Sequence, residues 1–209
     1  MKKIIYSAAV TLLLVLLSYF FLDTRIALFV SGAWISRAGL DIFAADIPDL
    51  LFFFVCAVTG FAWTAYFYRV RRGMHDSDTR FFLLIAIAVP LAFVLKTVLK
   101  IAVGRINTRF WLRHPDYPQF HWLNGGNHYD GFPSGHIAVF AAFAAAVWIF
   151  YPKCRILSAV LLSVLAIALI VTDYHFVSDI IAGACLGLAV HSAVHDGLLP
   201  LIDTREGNG

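Results

Sequence analysis

The chain has 209 residues, 61% of them hydrophobic and 14% charged, with a formal net charge of +3. Soluble globular domains are roughly half apolar and a quarter charged, so this composition excludes a water-soluble fold and points to a chain that spends most of its surface in lipid. One domain's worth of residues is expected to hold no separate soluble catalytic domain, and Lys and Arg residues scattered at helix ends, with no basic stripe, argue against nucleic acid as a partner.

In chain order, Lys2 and Lys3 precede an apolar run over 4–22 that no small-residue cleavage site promptly follows, which predicts a retained first helix. Residues 26–47 mix Leu28, Phe29, Trp34, Ile35, Leu40 and Phe43 with Arg37, Asp41 and Asp46, just after Arg25, and this mixture predicts a helix lying in the interface. Apolar runs at 50–68, 81–103, 137–151, 156–172 and 177–194 complete the spans, the fourth and sixth being short. The expected fold is therefore all-α: a polytopic membrane bundle of about six transmembrane helices with an extra interfacial helix, one domain over 1–203 and a disordered tail over 204–209. Lys2, Lys3, Arg69, Arg71, Arg72, Arg80, Lys153 and Arg155 then share one side, which predicts that side as cytoplasmic. The long loop at 104–135 and the turn at His175 fall on the other face. Cys56, Cys154 and Cys185 lack metal or redox spacing and read as packing residues. Gly183 and Gly187 form a small-residue step suited to packing helices within or between chains.

Three stretches on that outer face carry residues that are costly at membrane depth. Lys96 and Lys100 share a helix face, and Gly104 is a natural stop that frees Arg105 and Arg109 to fold back as a cationic cup; the alternative is snorkelling lysines and anchoring arginines. Gly131-Phe-Pro-Ser134-Gly135-His136 opens an apolar helix, with Ser134 as N-cap and free amides as an anion site. In Asp173-Tyr-His175-Phe-Val-Ser-Asp179, the four-residue step lets Asp179 fix the tautomer of His175, leaving the other ring nitrogen as nucleophile or base; Asp179 can equally be a first-turn charge. Together they supply the groups for phosphoryl transfer through a histidine.

These residues resemble the type-2 phosphatidic acid phosphatases, or lipid phosphate phosphatases, which share their core with vanadium haloperoxidases. The resemblance runs from about Lys96 to Gly183 and rests on Pro133-Ser134-Gly135-His136 and on His175-x-x-x-Asp179 followed by Ile-Ile-Ala-Gly183. It implies six membrane helices with the site on the extracytoplasmic face. His175 would attack phosphorus, Asp179 would hold its ring, and His136 would protonate the leaving alkoxide. Ser134 and the Gly135 amide would bind phosphate oxygens, with Lys100 and either Arg105 or Arg109 neutralising charge and no metal or other cofactor required. Two positions depart from the family pattern. Asn107 and Thr108 stand where an Arg-Pro pair ordinarily follows Lys100, and Ala168 and Leu169 stand where Ser-Arg ordinarily precedes His175. The surplus cations of 105–113 are expected to compensate.

The loop between the two halves of the site holds Trp111, His114, Tyr117, Phe120, His121, Trp122, His128 and Tyr129, a makeup suited to a lid at headgroup depth. A metal site from His114, His121 and His128 is disfavoured by their seven-residue steps. The expected function is hydrolysis of a lipid phosphomonoester or pyrophosphate in a bacterial inner membrane, with the N-terminus cytoplasmic. The alternatives are a lipid phosphotransferase using the same histidine and a non-catalytic lipid-phosphate binder or transporter. A haloperoxidase is excluded by the missing soluble body.

Overall fold

The structure, a computed structural model, describes residues 2–33 and 47–206. Helix α1 (Lys2–Ser18) runs through a π-helical turn (Tyr19–Asp23) directly into α2 (Thr24–Ala33). The first part of the expected interfacial helix is thus a continuation of the first membrane helix. The physical reason lies at Asp23, the charge that seems to end the apolar run: it is 2% exposed and paired inside the protein, so the helix need not leave the lipid. The rest of the expected interfacial helix, residues 34–46, lies outside the described residues.

The remaining helices are α3 (Ile47–Arg71), α4 (Ser77–Val103), the short α5 (Thr108–Arg113), α6 (Gly135–Phe150), α7 (Arg155–Val171) and α8 (Val177–Glu206). Among the described residues five helical stretches, counting the first, are long and apolar enough to cross a membrane: Tyr6–Gly32, Leu50–Arg71, Ser77–Val103, Pro152–Val171 and Val177–Leu198. The apolar α6 is shorter, with 16 residues and about 24 Å of helix. The architecture is an all-α polytopic membrane bundle. Because α8 runs to Glu206, it includes the first residues of the expected tail, and 207–209 lie outside the described residues.

Local chemistry sets the helix ends nearest the site. Asp76 caps α4 by accepting from the Thr79 amide at 3.1 Å. At the other end Gly104 adopts a left-handed φ of 52°, and a Cβ there would lie 2.0 Å from the His121 carbonyl oxygen, so only glycine allows this stop. Asn107 restarts the chain as α5, its side chain accepting from Phe110 N at 2.8 Å. The loop that follows is tied to its own beginning: His121 N donates to Gly104 O at 2.7 Å, Asn107 N to His128 O at 2.8 Å, and Gly131 N to Arg105 O at 2.8 Å.

The interior is formed by α4, α6 and α8, with α3 against α4. Lipid gives helices no hydrophobic drive toward one another, so close backbone approach has to hold them. Gly183 and Gly187 provide it within the chain. Their missing Cβ atoms would lie 2.5 Å from Ser134 O and 2.3 Å from Ala138 O of α6, whose Ala138, Ala141, Ala142 and Ala146 are fully buried. By contrast α7 leaves Ile156, Leu157, Val160, Leu161, Val164 and Ile167 exposed, as a lipid-facing helix would.

Candidate active site

The starts of α6 and α8 meet at one end of the bundle, where Ser134 N donates to Asp179 O at 3.0 Å. His175 sits in the turn before α8, held because the amides of Tyr174 and His175 both donate to Leu169 O, at 2.9 and 3.2 Å. Asp173 makes the turn with a left-handed φ of 54°. Leu169, where the resemblance would have an arginine, is packed among Ile137 and Ile180.

The His175 side chain is 3% exposed and neither ring nitrogen has a hydrogen-bond partner among the described residues. Its Nδ1 lies 3.6 Å from Asp179 Oδ2, oriented by the four-residue step but longer than a hydrogen bond. The Asp179 oxygens are engaged elsewhere: Oδ1 accepts from Arg105 Nη1 at 2.6 Å and Oδ2 from Phe176 N at 3.0 Å. Burial pushes the His175 imidazole below its ordinary range; Asp179 opposes that shift and Lys100 adds to it. Burial therefore favours the neutral imidazole, the form that carries a lone pair.

His136, in the first turn of α6, stands across from His175, with the Tyr174 ring touching both at centroid distances of 5.8 and 5.1 Å. Ser134 occupies the N-cap position, yet its side chain makes no capping bond; the hydroxyl is fully buried and has no partner among the described residues. Ser134 thus stands at the expected N-cap position without making a side-chain capping bond. Gly135 faces Lys96: a Cβ there would lie 3.0 Å from Lys96 Cδ and 3.5 Å from its Nζ. Lys100 Nζ lies 3.8 Å from Asp130 Oδ2. Lys96 therefore faces the start of α6, and Lys100, one turn along the same α4 face, meets the loop that leads into it.

The two arginines part company. Arg109 donates from Nε and Nη2 to Thr172 O at 3.1 and 2.9 Å and covers the Tyr174 ring, clamping the turn that holds His175. Arg105 is 2% exposed and lies behind Asp179, between that carboxylate and Asp23. Sequence reasoning missed Asp23. The available signal was a lone carboxylate inside a membrane-length apolar run.

In the loop, His128 stacks on Phe110 at 4.1 Å, His114 packs on the same ring at 4.6 Å, and His121 lies 3.3 Å from the Asn124 amide. Among the described residues no group of three His, Cys, Asp or Glu side chains converges as metal ligands. Trp122 and Leu123 are exposed at its tip.

Two proteins named lipid A 1-phosphatase, from Rhizobium johnstonii and Rhizobium etli, are each 30% identical to this chain over 101 residues. The match covers 47% of this chain but only 40% and 42% of those proteins, so the chain spans less than half the length of the relatives it matches. No solved structure matches it. The sequence profile of the PAP2 superfamily matches residues 79–198, more than half of the chain, from the start of α4 through Lys100, Ser134, His136, His175 and Asp179 into α8, and the chain belongs to that superfamily.

Proposed function

We propose that this protein is a lipid phosphate phosphatase that hydrolyses a phosphomonoester or pyrophosphate of a lipid through a phosphohistidine at His175, without a metal ion. The observation that carries the reading is His175 itself: buried, with burial favouring its neutral form, without a hydrogen-bond partner at either nitrogen among the described residues, and beside Asp179. With Nδ1 turned toward Asp179, Nε2 is the nucleophile. It forms the N–P bond as the bond from phosphorus to the leaving oxygen breaks, and His136 gives its proton to that oxygen. Water then attacks the phosphohistidine, His136 takes back a proton, and phosphate departs with His175 restored.

In this reading Lys96 and Lys100, the Ser134 hydroxyl and the Gly135 amide bind the phosphoryl oxygens, and cations with amides supply the neutralisation a metal would otherwise give. Lipid tails can remain in the bilayer while the headgroup reaches the end of the bundle where α6 and α8 begin. The names of the curated relatives make a lipid A 1-phosphate the first substrate to try. The arginines and lysines of the opposite end support a cytoplasmic N-terminus and an extracytoplasmic site in a bacterial inner membrane.

The test is phosphate release from a panel of lipid phosphates by detergent-purified protein with excess chelator. The wild type is expected to release phosphate and His175→Ala to release none. Release that persists in His175→Ala overturns the phosphohistidine, and release abolished by chelator overturns the metal-free chemistry.

A further inference from the structure

Asp23 comes from the N-terminal helix, outside the family-matched segment, yet it reaches the back of the site. It lies in the π-helical turn, a local widening of the helix that often re-aims side chains at functional sites. Its Oδ1 accepts from Ser178 N at 2.9 Å, and its Oδ2 accepts from Arg105 Nη2 at 2.7 Å and from the Ser178 hydroxyl. Arg105 Nη1 bonds both the Ser178 hydroxyl and Asp179 Oδ1. The rings of Phe176 and Tyr19 enclose the guanidinium at 4.5 and 5.2 Å. Held this way, Arg105 cannot reach a phosphoryl group without abandoning two buried carboxylates, which is very costly at this depth.

The charge balance gives the arrangement its purpose. A single guanidinium on Asp179 would cancel the carboxylate that faces His175. One guanidinium shared by two carboxylates leaves a formal charge of minus one behind the imidazole. We propose that Asp23 is a positioning residue that, through Arg105, restores the net negative charge behind His175 and thereby strengthens it as a nucleophile. Arg105 is then the internal counter-ion of this relay, and the phosphate-facing cations are Lys96 and Lys100. The other charged or titratable groups around His175 are Lys96 and Lys100 from α4, Asp130 from the loop, Arg109 from α5, His136 from α6 and Tyr174 beside it; none is altered in the test below.

The catalytic half of this inference rests on the proposed hydrolysis, but the electrostatic half does not. His175 is titrated by NMR in the full chain in detergent, its signal identified by loss in His175→Gln. Asp23→Asn is expected to lower the midpoint by on the order of one pH unit, since a negative charge close behind the ring is gone. The double variant Asp23→Asn/Arg105→Gln removes both charges and is expected to return the midpoint close to that of the wild type. In the phosphate-release assay Asp23→Asn is expected to lower kcat about tenfold with KM unchanged, and to move the acid limb of the pH profile down with the midpoint.

An unmoved midpoint in Asp23→Asn, or a double variant displaced as far as the single, overturns the proposal. Should Asp23→Asn not fold, the double variant carries the test: a wild-type midpoint supports the charge balance and a displaced one overturns it. An inactive wild type in which the midpoints still move supports the relay and defeats the phosphatase reading. An active wild type whose midpoint ignores Asp23 does the reverse.

Discussion

The two ends of the bundle each carry a guanidinium between carboxylates, and they differ in what surrounds the charges. Where α3 ends and α4 begins, Arg69 meets Asp76 at 2.5 Å and Asp78 at 3.6 Å, with the two aspartate side chains about half exposed. Behind His175, Arg105 meets Asp179 at 2.6 Å and Asp23 at 2.7 Å, with every member at most 2% exposed. The chemistry of the pairs is the same. Water can replace a lost partner at the first end and cannot at the second, so the first cluster is a replaceable helix-end clasp and the second must be complete.

The sharpest break of that comparison is Arg105→Ala. It leaves two carboxylates buried and unopposed, and is expected to cost about 3–5 kcal/mol of stability, read as a large drop in the melting temperature of the detergent-solubilised protein. A drop no larger than that of an exposed charge would mean that water reaches the cluster. Next is Arg109→Gln, which removes both bonds to the Thr172 carbonyl and is expected to cost about 1.5–3 kcal/mol, typical of hydrogen bonds from a charged donor. Because it loosens the turn that holds His175, phosphate release should fall with it. Unchanged release and melting would show that the 172–176 turn holds itself.

The smallest effect belongs to the exposed end. Asn caps a helix as well as Asp does, so Asp76→Asn should leave α4 intact and lower the melting temperature only slightly. The Arg69 guanidinium, aided by the Thr79 amide, holds the Asp76 carboxyl down at about 2. A carboxylate depressed by folding stabilises the folded state above its unfolded pKa and loses that contribution as the pH falls through the folded value. The difference between wild type and Asp76→Asn should therefore be present above roughly pH 4 and close toward pH 2, by melting curves across that range. A difference that stays constant with pH would show that Arg69 does not hold the carboxylate.

Much of this was legible along the chain. The apolar runs that became α3, α4, α6, α7 and α8 are local patterns, and so are the stop at Gly104 and the four-residue steps from Lys96 to Lys100 and from His175 to Asp179. Reading the first span as ending at Leu22 stopped one residue short of Asp23, because a charge in an apolar run looks like a boundary until a partner is known. The N-cap position of Ser134 is legible as a serine before an apolar helix, and only the tertiary structure shows that its hydroxyl makes no capping bond.

By itself, then, the sequence determined most of the helical segments in lipid, the stop at Gly104, and which polar residues gather at one end, since each depends on neighbours within a turn or two. Tertiary structure decided which cation meets which carboxylate. Asp23, Arg105 and Asp179 are each more than seventy residues from the next, and nothing in local spacing distinguishes Arg105 from Arg109. The choice was made by packing: the π-helical turn brings Asp23 inward, Gly104 turns the chain after α4, and Arg105 is then buried against Asp23, Asp179 and the Ser178 hydroxyl.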